Sequence, residues 1–322
     1  MDIKKYTPLI KIKYKYKGKE KIIYAKLEYY NLTGSIKDRM ASYIITKAKE
    51  RGELNANTPI IEATSGNTGI ALASIGAKEK NKVYIFMPDW VSKERKEIMK
   101  SYGAIVKCYS QEEGGFKRCI EEANKLSKEI NGFLVNQFSN KDNILAHYET
   151  TAKEIVDQID EKIGGFVSGI GTGGTLMGIS RRLKKQYKNI IVAAMEPDKM
   201  PLLSQNKIGL PHKIDGIGDD FVPELVDRNL IDKIIDINDD DAVNMSRLLA
   251  RKLGLGVGIS SGANFIASTI LNDSIIEPTV TIFVDDNKKY LSTELVQNVD
   301  LNPRFISNQI ELLEWEYVNN KT

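Results

Sequence analysis

Short apolar segments alternate along the chain with segments whose apolar residues recur at helical spacing. Strands are predicted over residues 59–63, 83–87, 104–108, 166–168, 190–195 and 279–284, and helices over residues 70–77, from the N-cap Ser92 to Gly103, 116–130 and 176–185. Strands that are apolar on both faces and separated by helices are typical of a parallel sheet covered on both sides. The pattern therefore predicts an α/β fold with two twisted, mostly parallel sheets flanked by helices. Ligands of such sheets bind beyond the carboxyl ends of the strands, so chemistry is expected in the loops that follow them.

Composition narrows the class of protein. The 322 residues suit one or two domains. A net charge of +3, from 46 basic and 43 acidic side chains, gives no footprint for nucleic acid. No apolar run approaches the ~20 residues that cross a bilayer, and Met1–Lys5 is not followed by the apolar part of a secretory signal. Cys108 and Cys119 lack metal-ligand spacing. We expect a cytoplasmic protein with no metal site, no nucleic-acid partner and no membrane anchor.

A glycine-rich loop, residues 169–175, joins a predicted strand to a predicted helix. Its glycines let backbone N–H groups converge at a helix N-terminus, which is an arrangement that binds phosphate; the simpler interpretation is a flexible turn. Gly169, Gly171 and Gly174 also satisfy G-x-G-x-x-G, and Glu196 ends the next strand at the spacing of a dinucleotide-binding unit. This loop alone therefore leaves an NAD-dependent oxidoreductase open.

Two further loops open helices. Residues 64–69, with the sequence TSGNTG, offer hydroxyls, an amide and backbone N–H groups to a carboxylate or a ring oxygen, although such residues also cap helices. Residues 31–39 place Lys37 at the start of a helix whose apolar face carries Met40, Ile44 and Ala48. The helix dipole disfavours a cation there and lowers the pKa of the lysine, and a neutral lysine forms Schiff bases. Taken alone, Lys37 also fits a solvated surface group.

Together and in this order, the three loops resemble the cysteine synthase and cystathionine β-synthase family of fold-type II pyridoxal phosphate (PLP) enzymes. The resemblance runs from Thr7-Pro8-Leu9 to Tyr290-Leu291-Ser292-Thr293. It implies the fold of the tryptophan synthase β-like enzymes, PLP as the cofactor and a homodimer. We expect a smaller mobile domain over residues 38–147 and a larger PLP-binding domain formed by residues 1–37 and 148–322.

The resemblance also implies roles for individual residues. Lys37 would carry the cofactor as the internal aldimine and act as acid and base at Cα. Asn67 would bond the PLP ring oxygen, and Ser260 would face the pyridine nitrogen. The PLP phosphate would lie in the loop formed by Gly171, Thr172, Gly173, Gly174 and Thr175. The substrate would lie against Thr64, Ser65, Gly66, Thr68, Gln137 and, at the mouth of the site, Gly216.

The Ser260 assignment predicts the reaction type. A hydroxyl does not keep the pyridine nitrogen protonated as a carboxylate would, so the ring is a modest electron sink. Long-lived carbanions are then disfavoured, and loss of a β-substituent is favoured. The expected reaction is replacement or elimination at Cβ of a small L-amino acid through an aminoacrylate.

The substrate is indicated by departures from the family pattern. Residues 147–155 and 216–221 are closer to the cystathionine β-synthase branch, whereas Leu32 and residues 284–287 depart from the usual family sequences. Asp219 and Asp220 would oppose the entry of hydrosulfide and could act as a general base for water or a thiol, or they could be solvated surface groups. We expect L-cysteine or serine as substrate, with hydrogen sulfide released from cysteine. A cysteine synthase that uses O-acetylserine and sulfide stays an alternative, as do, more remotely, an NAD enzyme and a non-catalytic scaffold.

The tail after Thr293 carries Phe305, Leu312, Leu313 and Trp315. Their helical spacing favours packing on the edge of the core, and a dimer surface is the alternative.

Overall fold

The computed structural model describes residues 6–297 and 302–318. Met1–Lys5, which we considered above as a possible signal, lie outside these ranges, as do parts of the predicted larger domain at both ends. The strands are β1 Leu9–Tyr16, β2 Lys19–Leu27, β3 Ile60–Ala63, β4 Val83–Pro88, β5 Ile105–Tyr109, β6 Phe133–Leu134, β7 Gly165–Gly169, β8 Ile191–Pro197, β9 Lys233–Ile237, β10 Thr279–Phe283 and β11 Ile310–Tyr317. The helices are α1 Lys37–Glu50, α2 Asn67–Glu79, α3 Lys93–Ser101, α4 Gly115–Glu129, α5 Asp142–Glu149, α6 Thr151–Gln158, α7 Gly174–Gln186, α8 Leu202–Gln205, α9 Asp239–Leu253 and α10 Ile259–Asn272.

The strands form two sheets, which confirms the predicted fold class. The larger sheet has the order β11-β1-β2-β10-β7-β8-β9, and the smaller has the order β5-β4-β3-β6. Every strand pair of the smaller sheet is parallel. In the larger sheet β2, β10, β7, β8 and β9 pair in parallel, while β1 pairs antiparallel with both of its neighbours.

The antiparallel edge of the larger sheet begins with a hairpin between β1 and β2. Lys17 and Gly18 connect the two strands, and both have a positive φ, of 51° and 73°. Two such residues make the tight turn whose twist matches that of the flanking strands, and glycine adopts this conformation without strain.

The C-terminal tail is a strand, so the predicted helix over this segment is wrong. Strand β11 pairs antiparallel with β1, with a register shift between Lys13 and Tyr14. Leu312 and Trp315 pack against the core of the larger sheet, and the Trp315 indole donates a hydrogen bond to the Leu253 carbonyl at 2.9 Å. The edge of β1 supplies backbone partners that a helix there would leave unpaired, and this pairing outweighs the local spacing.

The predicted apolar face of α1 is confirmed. Met40, Ile44 and Ala48 are buried in one cluster with Ile60 of β3 and Ile85 of β4. The helix that begins at Lys37 therefore shares the core of the smaller sheet and packs against α2 and α5.

Strand ends of both sheets lead into the predicted loops. Strand β3 ends at Ala63, just before the loop that opens α2, and β7 ends at Gly169, just before the loop that opens α7. In the described ranges, no helix combines the length and apolar character that a bilayer crossing requires. Within the same ranges there is no group of three or more His, Cys, Asp or Glu side chains that could hold a metal ion.

Candidate active site

One cleft brings together most of the predicted site residues. Its lining includes Lys37, Thr64, Ser65, Asn67, Thr68, Gln137, Gly171, Thr172, Gly173, Thr175, Gly216, Asp219 and Ser260. Gly66 and Gly174 belong to the same loops but turn towards protein neighbours, Arg95 and Asn143. Asp220 is exposed and lies outside the lining. The three loops that were grouped by sequence thus meet around one space.

Lys37 is the first residue of α1. The turn before it is fixed, since Ile36 N–H donates to the Val284 carbonyl at 3.0 Å and Lys37 N–H donates to Ser35 Oγ at 3.2 Å. Burial lowers the pKa of Lys37 to about 8, although the charges of Asp219 and Asp285 act in the opposite direction. The amine therefore loses its proton far more readily than a surface lysine does, as a nucleophilic lysine requires.

Asn67 opens α2 and faces the cleft with an unused acceptor. Its Nδ2 donates to Asp285 Oδ2 at 2.7 Å, while its Oδ1 is buried without a hydrogen-bond partner. The Asp285 carboxylate also accepts a hydrogen bond from the Tyr290 hydroxyl at 2.9 Å. The asparagine amide is thus held in one orientation, with its oxygen available to a ligand.

Gln137 lies against the same loop in the smaller sheet. Its Oε1 accepts from the Thr68 hydroxyl at 2.7 Å, and its Nε2 donates to the Ala63 carbonyl at 2.9 Å. The buried Glu62, which sequence reasoning did not single out, accepts from the Ala63 and Gln137 N–H groups at 2.8 and 3.1 Å. Burial raises the pKa of Glu62 to about 8, against those hydrogen bonds. An acidic residue inside the apolar strand predicted over residues 59–63 was the signal for it.

At Gly171 and Gly174, the loop that leads into α7 has no room for a side chain. A Cβ on Gly171 would lie 2.3 Å from the Gly216 carbonyl oxygen, and one on Gly174 would lie 2.0 Å from Asn143 Oδ1. Gly173 has a φ of 85°. Because the loop leads into the N-terminus of the 13-residue helix α7, its N–H groups and the helix dipole form a cradle for an anion.

Glu196 does not behave as the ribose-binding acid of a dinucleotide site. Its two carboxylate oxygens accept the N–H groups of Leu203 and Ser204, each at 2.8 Å. The side chain is buried and bonds the start of α8. This geometry removes the acidic partner that the NAD interpretation needed.

The buried side chains of His147 and Ser260 lie at the cleft, His147 next to Thr175 and Ser260 in the lining. His147, which the sequence analysis left without a role, lies 3.3 Å from Thr175 Oγ1 through Nε2 and 3.0 Å from Thr151 through Nδ1. Burial and, next, the charge of Lys37 lower the pKa of His147 to about 3, so its ring is neutral. Ser260 lines the opposite wall from the first turn of α10 and is buried.

Asp219 and Asp220 differ in their exposure and in their position relative to the cleft. Asp219 is half-buried and lines the cleft, whereas Asp220 is exposed. Burial and the neighbouring charge of Asp220 raise the pKa of Asp219 to about 7, and the Lys37 cation opposes this. A carboxyl group with that pKa can hold or release a proton near neutral pH.

Arg95, Phe138 and Asp215 also line the cleft and were missed from sequence. Arg95 lies on α3, which follows the carboxyl end of β4, and Asp215 directly precedes the predicted Gly216. Their nearness to predicted loops was the available signal, but an arginine in an amphipathic helix is indistinguishable in sequence from a solvated one.

The cleft fits PLP by two independent features. The unpartnered Asn67 Oδ1 suits a donor on a bound ring, and the glycine cradle at α7 suits a phosphate. Arg39 lies near Lys37, but its guanidinium forms ion pairs with Glu28 and Glu154. It is therefore not available to bind that phosphate.

Comparison with known proteins agrees with this geometry. The model of the family "Pyridoxal-phosphate dependent enzyme" matches residues 2–285. A hydrogen sulfide-producing enzyme from Fusobacterium nucleatum has a TM-score of 0.92 at 46% identity, with 96% of this chain and 94% of that chain covered. A mutant of a hydrogen sulfide-producing enzyme, in complex with an α-aminoacrylate intermediate, has a TM-score of 0.93 at 45% identity, covering 98% and 95%. A cysteine synthase of Staphylococcus aureus is 38% identical over 292 residues, which are 90% of this chain and 94% of the relative. The chain therefore belongs to the cysteine synthase family of PLP-dependent enzymes, and PLP is its cofactor.

Proposed function

We propose that the enzyme replaces the thiol of L-cysteine by the hydroxyl of water, or by a second thiol, and releases hydrogen sulfide. The observation that carries this proposal is Asp219, a carboxyl group with a raised pKa in the lining of the cleft. The similarity to hydrogen sulfide-producing enzymes supports it.

When bound, PLP supplies the electron sink that stabilises charge at the substrate Cα. Lys37 would hold the cofactor and move the proton at Cα, since it is the cleft lysine whose pKa is lowered to about 8. Thr64, Ser65 and Thr68, with Gln137, would hold the substrate carboxylate through hydroxyl, amide and N–H donors. Asn67 would donate to or accept from the ring oxygen.

Asp219 decides which nucleophile is favoured. A carboxylate there repels hydrosulfide, which is an anion, and accepts a proton from water or a thiol as the oxygen or sulfur bonds to Cβ. With water, the C–S bond of cysteine breaks, a C–O bond forms, and the products are L-serine and hydrogen sulfide. Asp220 would act only through its charge, because it is exposed and lies outside the cleft lining.

A cysteine synthase is the second candidate, favoured by the cysteine synthase relatives. Such an enzyme would bring sulfide into the cleft as the nucleophile and would take O-acetylserine as substrate. The carboxyl group of Asp219 in the cleft lining is the feature that this candidate does not explain.

The test is sulfide release from L-cysteine, compared with cysteine formation from O-acetylserine and sulfide. We expect rapid sulfide release with serine as the second product. Asp219→Asn should slow water addition by about 100-fold or more, because a general base contributes factors of this order. Asp220→Asn is the matched control: it removes only the neighbouring charge that helps to raise the pKa of Asp219, so its effect on the rate should be far smaller. Absent sulfide release with brisk O-acetylserine turnover would assign the enzyme as a cysteine synthase.

We also propose that the enzyme is a homodimer in the cytoplasm and that residues 38–147 move as the smaller domain. The free thiols of Cys108 and Cys119 suit a reducing compartment. Light scattering of the purified holoenzyme measures the mass of the assembly, and a monomer mass would overturn the dimer.

A further inference from the structure

Residues 215–221, which we call the mouth loop, carry Asp219 into the cleft. The segment has no helix or strand. Gly216 and Gly218 have φ values of 85° and 68°. Near its middle, Gly218 N–H donates to the Ile170 carbonyl at 3.1 Å, and His212 Nε2 lies 3.1 Å from the Gly218 carbonyl. Such a segment has little regular structure of its own, so its position depends on what touches it.

The first end of the mouth loop is bonded to α3. Arg95 Nη1 donates to the Asp215 carboxylate. The Arg95 side chain is 2% exposed, and its guanidinium lies over the Tyr290 ring at 4.6 Å. Because Arg95 also fills the space beside Gly66, the contact links the mouth loop to the loop predicted to hold the substrate carboxylate.

The second end of the mouth loop contacts an aromatic pair next to Gln137. The Phe221 ring packs edge-to-face on Phe138, with ring centroids 5.1 Å apart. Phe138 packs in the same way on Phe116 of α4, at 5.7 Å. Edge-to-face pairs at these distances stabilise their arrangement beyond the area they bury.

We propose that Arg95 and Phe138 are positioning residues that hold the mouth loop at both ends and so place Asp219 in the cleft. Both residues lie in segment 38–147: Arg95 is on α3, and Phe138 is in the turn that directly follows Gln137. Activation of the nucleophile is then coupled to the position of the smaller sheet: when Gln137 and the loop 64–69 are in place over the substrate, Asp219 is in place too. This inference rests on the proposed role of Asp219, but the contacts themselves can be tested without it.

The first experiment is hydrogen exchange of backbone amides in the holoenzyme. Phe138→Leu and Phe221→Leu should each speed exchange across residues 215–221 by about three- to tenfold, which corresponds to the loss of one aromatic pair. Phe116→Leu is the matched control: it removes the neighbouring contact within the same cluster but leaves the Phe138–Phe221 pair. Unchanged exchange in the first two variants, or an equal change in all three, would overturn the proposal. This readout does not depend on the reaction, so it stands even if cysteine proves not to be the substrate.

The second experiment separates positioning from folding. With L-cysteine as substrate, Phe221→Leu should lower kcat for water addition by about three- to tenfold with KM nearly unchanged, while Phe116→Leu keeps the wild-type kcat. The Phe138→Leu/Phe221→Leu double variant should lose no more than the larger single effect, because both substitutions remove one contact. A positioning role would be contradicted if the single effects on kcat multiplied in the double variant, or if the substitutions changed KM alone. A wild-type enzyme that releases no sulfide would instead refute the proposed function and leave the exchange result to decide the contact.

Discussion

Two buried arginines hold opposite sides of the cleft in different ways. Arg39, two residues after Lys37, makes five hydrogen bonds, to Glu28, Glu154 and Thr7, at 2.6–3.0 Å. Arg95 makes its hydrogen bond to Asp215, and its Nε is buried without a partner. One of these arginines is fully bonded and the other is not.

The difference separates a fixed part of the molecule from an adjustable one. A buried charge is tolerated when its hydrogen bonds are all met and its countercharges are close. The cluster around Arg39, where Lys26 also bonds Glu154 at 2.7 Å, therefore fixes the start of α1 and with it Lys37. Arg95 leaves its Nε unmet, and its partner Asp215 is 28% exposed and can be hydrated, so this contact is weaker than those around Arg39. Such a contact suits a link between α3 and the mouth loop that can open and close.

The largest expected effect on stability follows from removing Arg39, which holds the fixed part of the molecule. Arg39→Leu should lower the free energy of unfolding by about 3–5 kcal/mol, because it leaves the buried charges of Glu28 and Glu154 without their main partner. Urea unfolding of the holoenzyme measures the change. Adding Glu28→Gln removes one of the stranded charges, so the double variant should recover part of the loss. A double variant less stable than Arg39→Leu alone would show that charge burial is not the cause.

The next effect is a dependence of stability on acid. Burial opposes ionisation of Glu28, but the charge and hydrogen bonds of Arg39 outweigh it and lower the pKa of Glu28 from 4.5 to about 2. A depressed folded-state pKa gives stability that is present above the unfolded pKa of 4.5 and is lost as the pH falls towards 2. The contribution is about 3 kcal/mol.

This dependence is measured as the difference in unfolding free energy between the wild type and Glu28→Gln. The difference should shrink steadily as the pH falls from 5 to 3.5. A difference that is constant over this range would mean that Glu28 has the same pKa in the folded and the unfolded protein, and one that grows as the pH falls would mean that Glu28 is protonated in the folded protein.

The same contrast explains what could be predicted from sequence. Lys37, Asn67 and the loop 171–175 lie in short motifs at strand ends and helix starts, so local sequence was sufficient to group them. The partners of Arg39 come from Glu28 and Glu154, 11 residues before and 115 residues after it in the chain, and no local pattern joins them.

The errors have a similar origin. The spacing in the tail favours a helix, but the segment pairs as a strand with the edge of β1, which is about 300 residues earlier in the chain. Arg95 was missed because its amphipathic helix predicts a solvated face, whereas the mouth loop covers it. In both cases the decisive partner belongs to a distant segment, and only the folded chain brings the two together.

The smallest effect on stability should come from the adjustable side. Arg95→Met should cost less, about 1–3 kcal/mol of unfolding free energy, because the groups that it leaves unpaired have other partners, although the buried Asp285 loses a countercharge 4.0 Å away. The Asp215 side chain is 28% exposed and can be hydrated, and Asp285 keeps its hydrogen bonds from Asn67 and Tyr290. The same variant should nevertheless slow water addition in the folded enzyme, because it frees the mouth loop that carries Asp219. Urea unfolding and kcat, measured side by side, check both halves. If Arg95→Met proved as destabilising as Arg39→Leu, the Arg95–Asp215 contact would be as rigid as the cluster around Arg39. The distinction between a fixed and an adjustable side would then be wrong.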